Sequence, residues 1–206
     1  MTTPVIDTII FDLGGVLVDW NPRYLFQKLL PNDTAVDDFL NRVATFDWNE
    51  QQDGGRSIAA ATAALVAQHP EHESLIRAYY DRWEEMLGGA KEDVVTIFRK
   101  LKESGRYNIY ALTNWSAETY PIAERQFEFL QWFDGVLVSG RERLKKPDPK
   151  IYQLTLRRFN IAAKSAIFID DNLRNVRAAE QEGIRSIHFT TSDALRNALA
   201  QYEIRV

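Results

Sequence analysis

The sequence predicts an α/β fold, with a parallel sheet covered by helices on both faces and a helical insertion after the first strand. Three observations predict it. Short β-rich runs alternate with helical patterns along most of the 206 residues. Those runs are nearly continuous in apolar character, as strands buried on both faces are. One long stretch, from about Val18 to Gly89, breaks the alternation and carries no convincing strand.

The elements follow in order. A first strand is predicted over Ile6–Phe11 (IDTIIF). Helices are then predicted at Arg23–Leu30, Thr34–Thr45, Ser57–Gln68 and Glu71–Leu87. Ser57 offers a hydroxyl to an early amide of the third, the polar turn Gln51–Arg56 separates it from the second, and Gly88-Gly89 closes the region. The alternation resumes with helix Glu92–Glu103, strand Tyr107–Leu112, helix Glu118–Phe127 and strand Gly135–Val138. Helix Pro149–Phe159, strand Ala166–Ile169, helix Asn175–Glu182 and strand Arg185–Phe189 complete it. The implied organisation is a Rossmann-like three-layer α/β/α core from residues 1–17 and 90–206, with residues 18–89 as a helical cap.

Composition narrows the function classes. Hydrophobic residues are 45% and charged residues 26%, which suits a globular chain with a sizeable core. A net charge of −4 and the lack of a basic stripe argue against a nucleic-acid partner. With no cysteine there is neither a disulfide nor a thiolate zinc site, which is compatible with the cytoplasmic location we expect. The N-terminal residues lack a basic leader, and no apolar run approaches the ~18 residues that span a bilayer.

The chemistry concentrates at strand ends. In IIFDLGGVL (Ile9–Leu17), Asp12 stands alone in an apolar run, and a buried carboxylate is costly without compensation. The second core strand ends at Thr113-Asn114, and the fourth at Asp170-Asp171. A loop before a helix adds Lys145-Lys146-Pro147-Asp148-Pro149. Any one of these alone reads as a helix cap or a solvated loop charge. All of them at one sheet edge point to a shared site, because ligands bind beyond the carboxyl ends of parallel strands. Three crowded carboxylates call for a hard cation with oxygen ligands, and Mg²⁺ is the usual partner of carboxylates and phosphate oxygens. A carboxylate there can attack phosphorus, with Thr113, Asn114 and Lys146 meeting the transferring oxygens. Gly14 and Gly15 let the main chain come close.

FDLGGVL at Phe11–Leu17, LTN at Leu112–Asn114, KKPDP at Lys145–Pro149 and FIDDNLRN at Phe168–Asn175 appear in an order that resembles the haloacid dehalogenase-like hydrolase superfamily. The resemblance spans essentially the whole chain. It implies that Asp12 is the nucleophile and that Thr113, Asn114 and Lys146 bind the phosphoryl group. It also implies that Asp171 holds Mg²⁺ with Asp12 and the Gly14 carbonyl, and that Asp170 assists directly or through water. Asn175, at i+4 from Asp171, would orient the acidic loop. EQQDGGRS at Glu50–Ser57 resembles the cap loop that selects substrate, which makes Arg56 a candidate substrate contact.

One departure stands out: Gly14 occupies the position where such phosphatases usually carry a second aspartate. The sequence is similar to a subgroup with DLG there, which includes α-glucose 1-phosphate phosphatases. The expected function is therefore a Mg²⁺-dependent phosphatase of a small phosphorylated metabolite, a sugar phosphate among the options, acting through an aspartyl-phosphate. The alternatives are a 2-haloacid dehalogenase, against which Gly14-Gly15-Val16 replaces the usual Tyr-Gly-Thr, and a catalytically weak phospho-ligand-binding protein. Trp20, Trp48 and Trp115 are candidates for a sugar pocket or for core and interface. No membrane partner is expected, and the chain is read as monomer or homodimer.

Overall fold

A computed structural model describes residues 5–206; residues 1–4, the start of the first core segment and of the leader reading, lie outside the described residues. The strands are β1 (Thr8–Phe11), β2 (Val18–Trp20), β3 (Leu87–Ala90), β4 (Asn108–Thr113), β5 (Gly135–Val138), β6 (Ala166–Asp170) and β7 (Arg185–His188). The helices between β2 and β3 are α1 (Arg23–Leu29), α2 (Asp33–Arg42), α3 (Phe46–Asp53), α4 (Ile58–Gln68) and α5 (Glu73–Asp81). Those beyond are α6 (Glu92–Glu103), α7 (Tyr120–Gln126), α8 (Ser139–Glu142), α9 (Pro149–Arg158), α10 (Leu173–Gln181) and α11 (Ser192–Ala200). Among the described residues no helix is long and apolar enough to cross a membrane.

Five strands form a parallel sheet in the order β5-β4-β1-β6-β7. Both faces are buried, as the apolar runs predict. Ile9, Phe11, Ile109, Ala111, Ile167 and Ile169 join one hydrophobic cluster, while the intervening Ile10, Leu112, Ala166 and Phe168 join another with Ile151, Tyr152 and Ala179. Phe11 sits beside Ala111 on one neighbour and Ile169 on the other. One step further along, the three central strands therefore deliver Asp12, Leu112-Thr113 and Asp170 to one edge.

The insertion differs from the sequence reading in three ways. First, it contains strand: β2 and β3 pair antiparallel where the chain leaves and rejoins the core, with Val18 opposite Ala90 and Asp19 opposite Gly89. Gly88-Gly89 is thus strand rather than turn. A Cβ on Gly88 would stand 2.2 Å from Asp19 Oδ2, which accepts the Tyr24 hydroxyl at 2.7 Å, so close approach explains the glycine. Second, residues 46–53 are helical. Thr45 is not the end of the second helix but the cap of the next, its hydroxyl accepting the Trp48 amide at 3.1 Å. The turn is only Gly54–Arg56. Third, the final segment breaks into a 3-10 turn at Pro70–His72, α5, and a 3-10 turn at Trp83–Met86. Ser57 does cap α4, accepting the Ala60 amide. The insertion buries Leu25, Phe26, Val36, Phe39, Ile76 and Tyr79 in continuity with one face of the core.

Candidate active site

Asp12 lies just past β1, its amide donating to the Ile169 carbonyl at 2.8 Å while the Leu13 amide donates to Asp12 Oδ1 at 2.7 Å. Its other oxygen faces Lys146 Nζ at 2.9 Å. Lys146 is completely buried. Its ammonium also donates to Asp170 Oδ2 at 2.6 Å and to the Leu112 carbonyl at 3.0 Å, so three N–H groups meet three acceptors. Burial alone favours the neutral amine, yet Asp12 and Asp170 together hold the Lys146 pKa above its usual value. Burial pushes the Asp12 carboxyl up to about 8 against the pull of Lys146, with Asp170 and Asp171 repelling it further.

Asp170 is fully buried and its oxygens are heavily used. Besides Lys146 it accepts the Asn172 amide at 2.8 Å and the Asn175 side-chain amide at 3.1 Å on each oxygen. Asn175 is fixed in turn by Tyr152, whose hydroxyl donates to its carbonyl at 2.9 Å. Asp171 is more open, and burial followed by Asp170 repulsion raises its pKa. One carboxylate oxygen from each of Asp12, Asp170 and Asp171 lies within 4.8 Å of the others. Gly15 adopts φ +77°, and a Cβ there would stand 2.1 Å from Asp171 Oδ2, so the glycine leaves room for that carboxylate.

Thr113 is fully buried and its hydroxyl has no hydrogen-bond partner among the described residues. A buried polar group without a partner is costly unless a ligand completes it. Asn114 borders the cavity and also holds the lysine loop. Its amide donates to the Lys146 carbonyl at 2.9 Å and its oxygen accepts the Lys146 amide at 2.8 Å, so the side chain positions the lysine.

A cavity of about 660 Å³ opens above Asp12, Gly14, Gly15 and Asp171. Its remaining walls come from both the core and the insertion. The core supplies Asn114, Trp115, Ser116, Thr119 and His188, and the insertion supplies Trp20, Phe46, Asn49, Glu50, Asp53, Tyr80 and Trp83. Arg56 is not brought to it. Its guanidinium donates to Gln52 Oε1 at 2.8 Å and the Trp48 carbonyl at 3.0 Å, and it lines a separate surface depression with Arg143 and Lys145. Trp20 and Trp115 reach the cavity, whereas Trp48 packs inside the insertion against Tyr79 and Tyr80. Asp53, Asn49 and Tyr80 were not singled out from sequence. For Asp53 the signal was present, a lone carboxylate just before Gly54-Gly55, but Arg56 drew the inference instead.

The insertion is tied down around this cavity. Ser139 accepts the Trp115 amide at 2.9 Å and donates to the Asp53 carbonyl at 2.6 Å. Glu50 pairs with Lys145 at 2.5 Å and Arg174 at 3.2 Å, and Glu118 accepts the Ile58 amide at 2.8 Å.

The parallel α/β core thus gathers three carboxylates and a buried lysine at its strand tips, beside a cavity that the inserted helices also line. Residues 6–183 match the family model for haloacid dehalogenase-like hydrolase, and the chain belongs to that family. It is 29% identical over 195 residues to the sesquiterpene phosphatase astK of Aspergillus oryzae, covering 93% of this chain and 94% of that one. It is 31% identical over 200 residues to the phosphorylated carbohydrates phosphatase of Thermotoga maritima, covering 88% and 84%. In structure it resembles the HAD family enzyme bt-2542 of Bacteroides thetaiotaomicron, solved with magnesium and inorganic phosphate. That match has a TM-score of 0.70 and 19% identity over 90% of this chain and 94% of the other.

Proposed function

We propose that the protein is a Mg²⁺-dependent phosphatase of a small phosphorylated metabolite, working through an aspartyl-phosphate on Asp12. The observation that carries this reading is the meeting of three carboxylates within 4.8 Å beside the buried Lys146. An all-oxygen donor set suits Mg²⁺, and the space that Gly15 leaves for Asp171 fits the same purpose. Asp12, Asp171 and the Gly14 carbonyl would hold the ion, with Asp170 assisting directly or through water. When bound, the ion neutralises the clustered carboxylates and the phosphoryl oxygens.

Lys146 keeps Asp12 oriented, Asp170 and Asn114 hold Lys146 in turn, and Asn175 fixes Asp170. The unpartnered Thr113 hydroxyl is suited to donate to a phosphoryl oxygen. The helical insertion acts as a cap, and its aromatic and amide side chains contact the leaving group. The two phosphatase relatives act by name on a sesquiterpene and on carbohydrates, which is consistent with a shared phosphoryl site under differing caps. A sugar phosphate is the favoured substrate, since Trp20, Trp83 and Trp115 line the cavity together with the polar Asn49.

The test is phosphate release from a panel of phosphometabolites, with and without Mg²⁺, for wild type and Asp12→Asn. Turnover should vanish in the variant and after EDTA. Release that survives both treatments rejects the reading.

A further inference from the structure

Transfer through Asp12 needs a group that gives a proton to the departing oxygen and later takes one from water. Gly14 has no side chain to do so, and a Cβ built there meets no atom within 4 Å. We propose that Asp53, carried into the cavity by the insertion, is that acid and base. The inference rests on the phosphatase reading.

Position and elimination both lead to it. Asp53 ends α3 and lines the same cavity as Asp12 and Gly14. Ser139 clasps its carbonyl at 2.6 Å while holding the Trp115 amide, so the residue is fixed by the segment that follows Thr113-Asn114. The other titratable groups of the cavity are committed. Asp12 and Asp171 belong to the carboxylate cluster, and Glu50 is paired with Lys145 and Arg174. His188 is exposed, with Nε2 against the Asp171 carbonyl at 2.9 Å. The Tyr80 hydroxyl lies between Asn49 and Gln52, and burial drives its pKa far above neutrality.

Asp53 forms no ion pair among the described residues and is only partly exposed, into the cavity. Burial pushes its carboxyl up to about 7 and Glu50 adds to the rise, while Lys145, the main chain at Ser116 and Lys146 oppose it. A carboxyl near neutrality can hold a proton and also release one at working pH.

The balance is complete without another reactant. In the first half an Asp12 oxygen bonds to phosphorus, the bond from phosphorus to the leaving oxygen breaks, and that oxygen takes the Asp53 proton. In the second half water bonds to phosphorus and passes a proton to the Asp53 carboxylate. The bond to Asp12 breaks, and inorganic phosphate departs with both aspartates restored.

The test compares wild type with Asp53→Asn on p-nitrophenyl phosphate, whose leaving group departs without a proton, and on phenyl phosphate, whose leaving group needs one. Both are assayed from pH 5 to 9 with Mg²⁺. Expected are a loss in kcat/KM, which reports departure of the leaving group, of about 100-fold or more on phenyl phosphate and under about 10-fold on p-nitrophenyl phosphate, the usual scale for a lost proton donor, while kcat falls on both esters because hydrolysis of the phospho-aspartate is common to them. The fall of wild-type kcat/KM for phenyl phosphate above neutral pH should also disappear in the variant. Equal losses in kcat/KM on both esters with an unchanged pH profile, or no loss, overturn the inference in favour of a purely structural aspartate. If circular dichroism shows the variant unfolded, the wild-type profiles decide. The inference then stands if kcat/KM for phenyl phosphate falls above pH 7 relative to p-nitrophenyl phosphate, and is overturned if the two run parallel. A wild type that releases phosphate from neither ester removes the phosphatase reading and this inference with it.

Discussion

Lys146→Met keeps most of the stem volume and deletes the charge between Asp12 and Asp170. At 2.9 and 2.6 Å the two contacts are each worth about 6 kcal/mol in gross Coulomb energy at an effective dielectric near 20. Desolvating the ammonium and both carboxylates offsets most of that in the wild type. The variant keeps the desolvation and loses the compensation, so Asp12 and Asp170 must either stay charged without a partner or take up a proton. Breaking a buried pair in this way costs about 3–5 kcal/mol. In a domain of this size that corresponds to a Tm lower by about 6–20 °C. Urea unfolding at pH 8 with EDTA present, so that no cation substitutes for the lysine, measures the loss. At pH 5 the gap should narrow, because protonating the orphaned carboxylates relieves their repulsion. A stability within about 0.5 kcal/mol of wild type at pH 8 would refute the reasoning that Lys146 is the counter-charge of a buried cluster, since a shift that small is typical of solvent-exposed sites.

Three further outcomes are expected. Gly15→Ala should abolish cation-dependent activity, since its Cβ would stand 2.1 Å from Asp171 Oδ2 at φ +77° and displace that carboxylate. Comparing activity across a Mg²⁺ titration checks it, and an unchanged half-saturation is the adverse result. Ser139→Ala should cost about 1–2 kcal/mol by removing the hydroxyl shared between the Trp115 amide and the Asp53 carbonyl, and should raise hydrogen exchange around residues 53–56; thermal unfolding with exchange mass spectrometry measures both. The raised pKa of Asp53 makes a stabilising contribution that is complete below its unfolded value of 3.8 and lost as pH rises through about 7. The stability difference between wild type and Asp53→Asn should therefore move against the wild type between pH 5 and pH 8 in paired urea melts.

Several elements were readable because local pattern and burial agree. The run Ile9–Phe11 is apolar at every position because both sheet faces are covered, and its abrupt end at Asp12 marks the edge. The insertion was legible as helical but not in detail. β2 and β3 are three and four residues long, and Gly88-Gly89 reads as turn by propensity. Their pairing depends on Asp19 and Tyr24 lying close by, which spacing does not express. The helix over residues 46–53 has no apolar stripe to reveal it, since Asn49 and Gln52 are its buried positions.

Sequence alone determined the alternation of the five core strands with helices, the acids at the strand tips and the glycines that let the main chain approach them, because these follow from composition over short windows. Tertiary structure decided which charges meet. Lys145 and Lys146 are neighbours in the chain, yet one pairs with the insertion's Glu50 and the other is sealed between Asp12 and Asp170. Likewise Arg56 is turned away onto Gln52 while Asp53, three residues earlier, faces the cavity. The Glu50 and Asp12 partners of the two lysines lie on segments far away in the chain, and no local pattern carries that information.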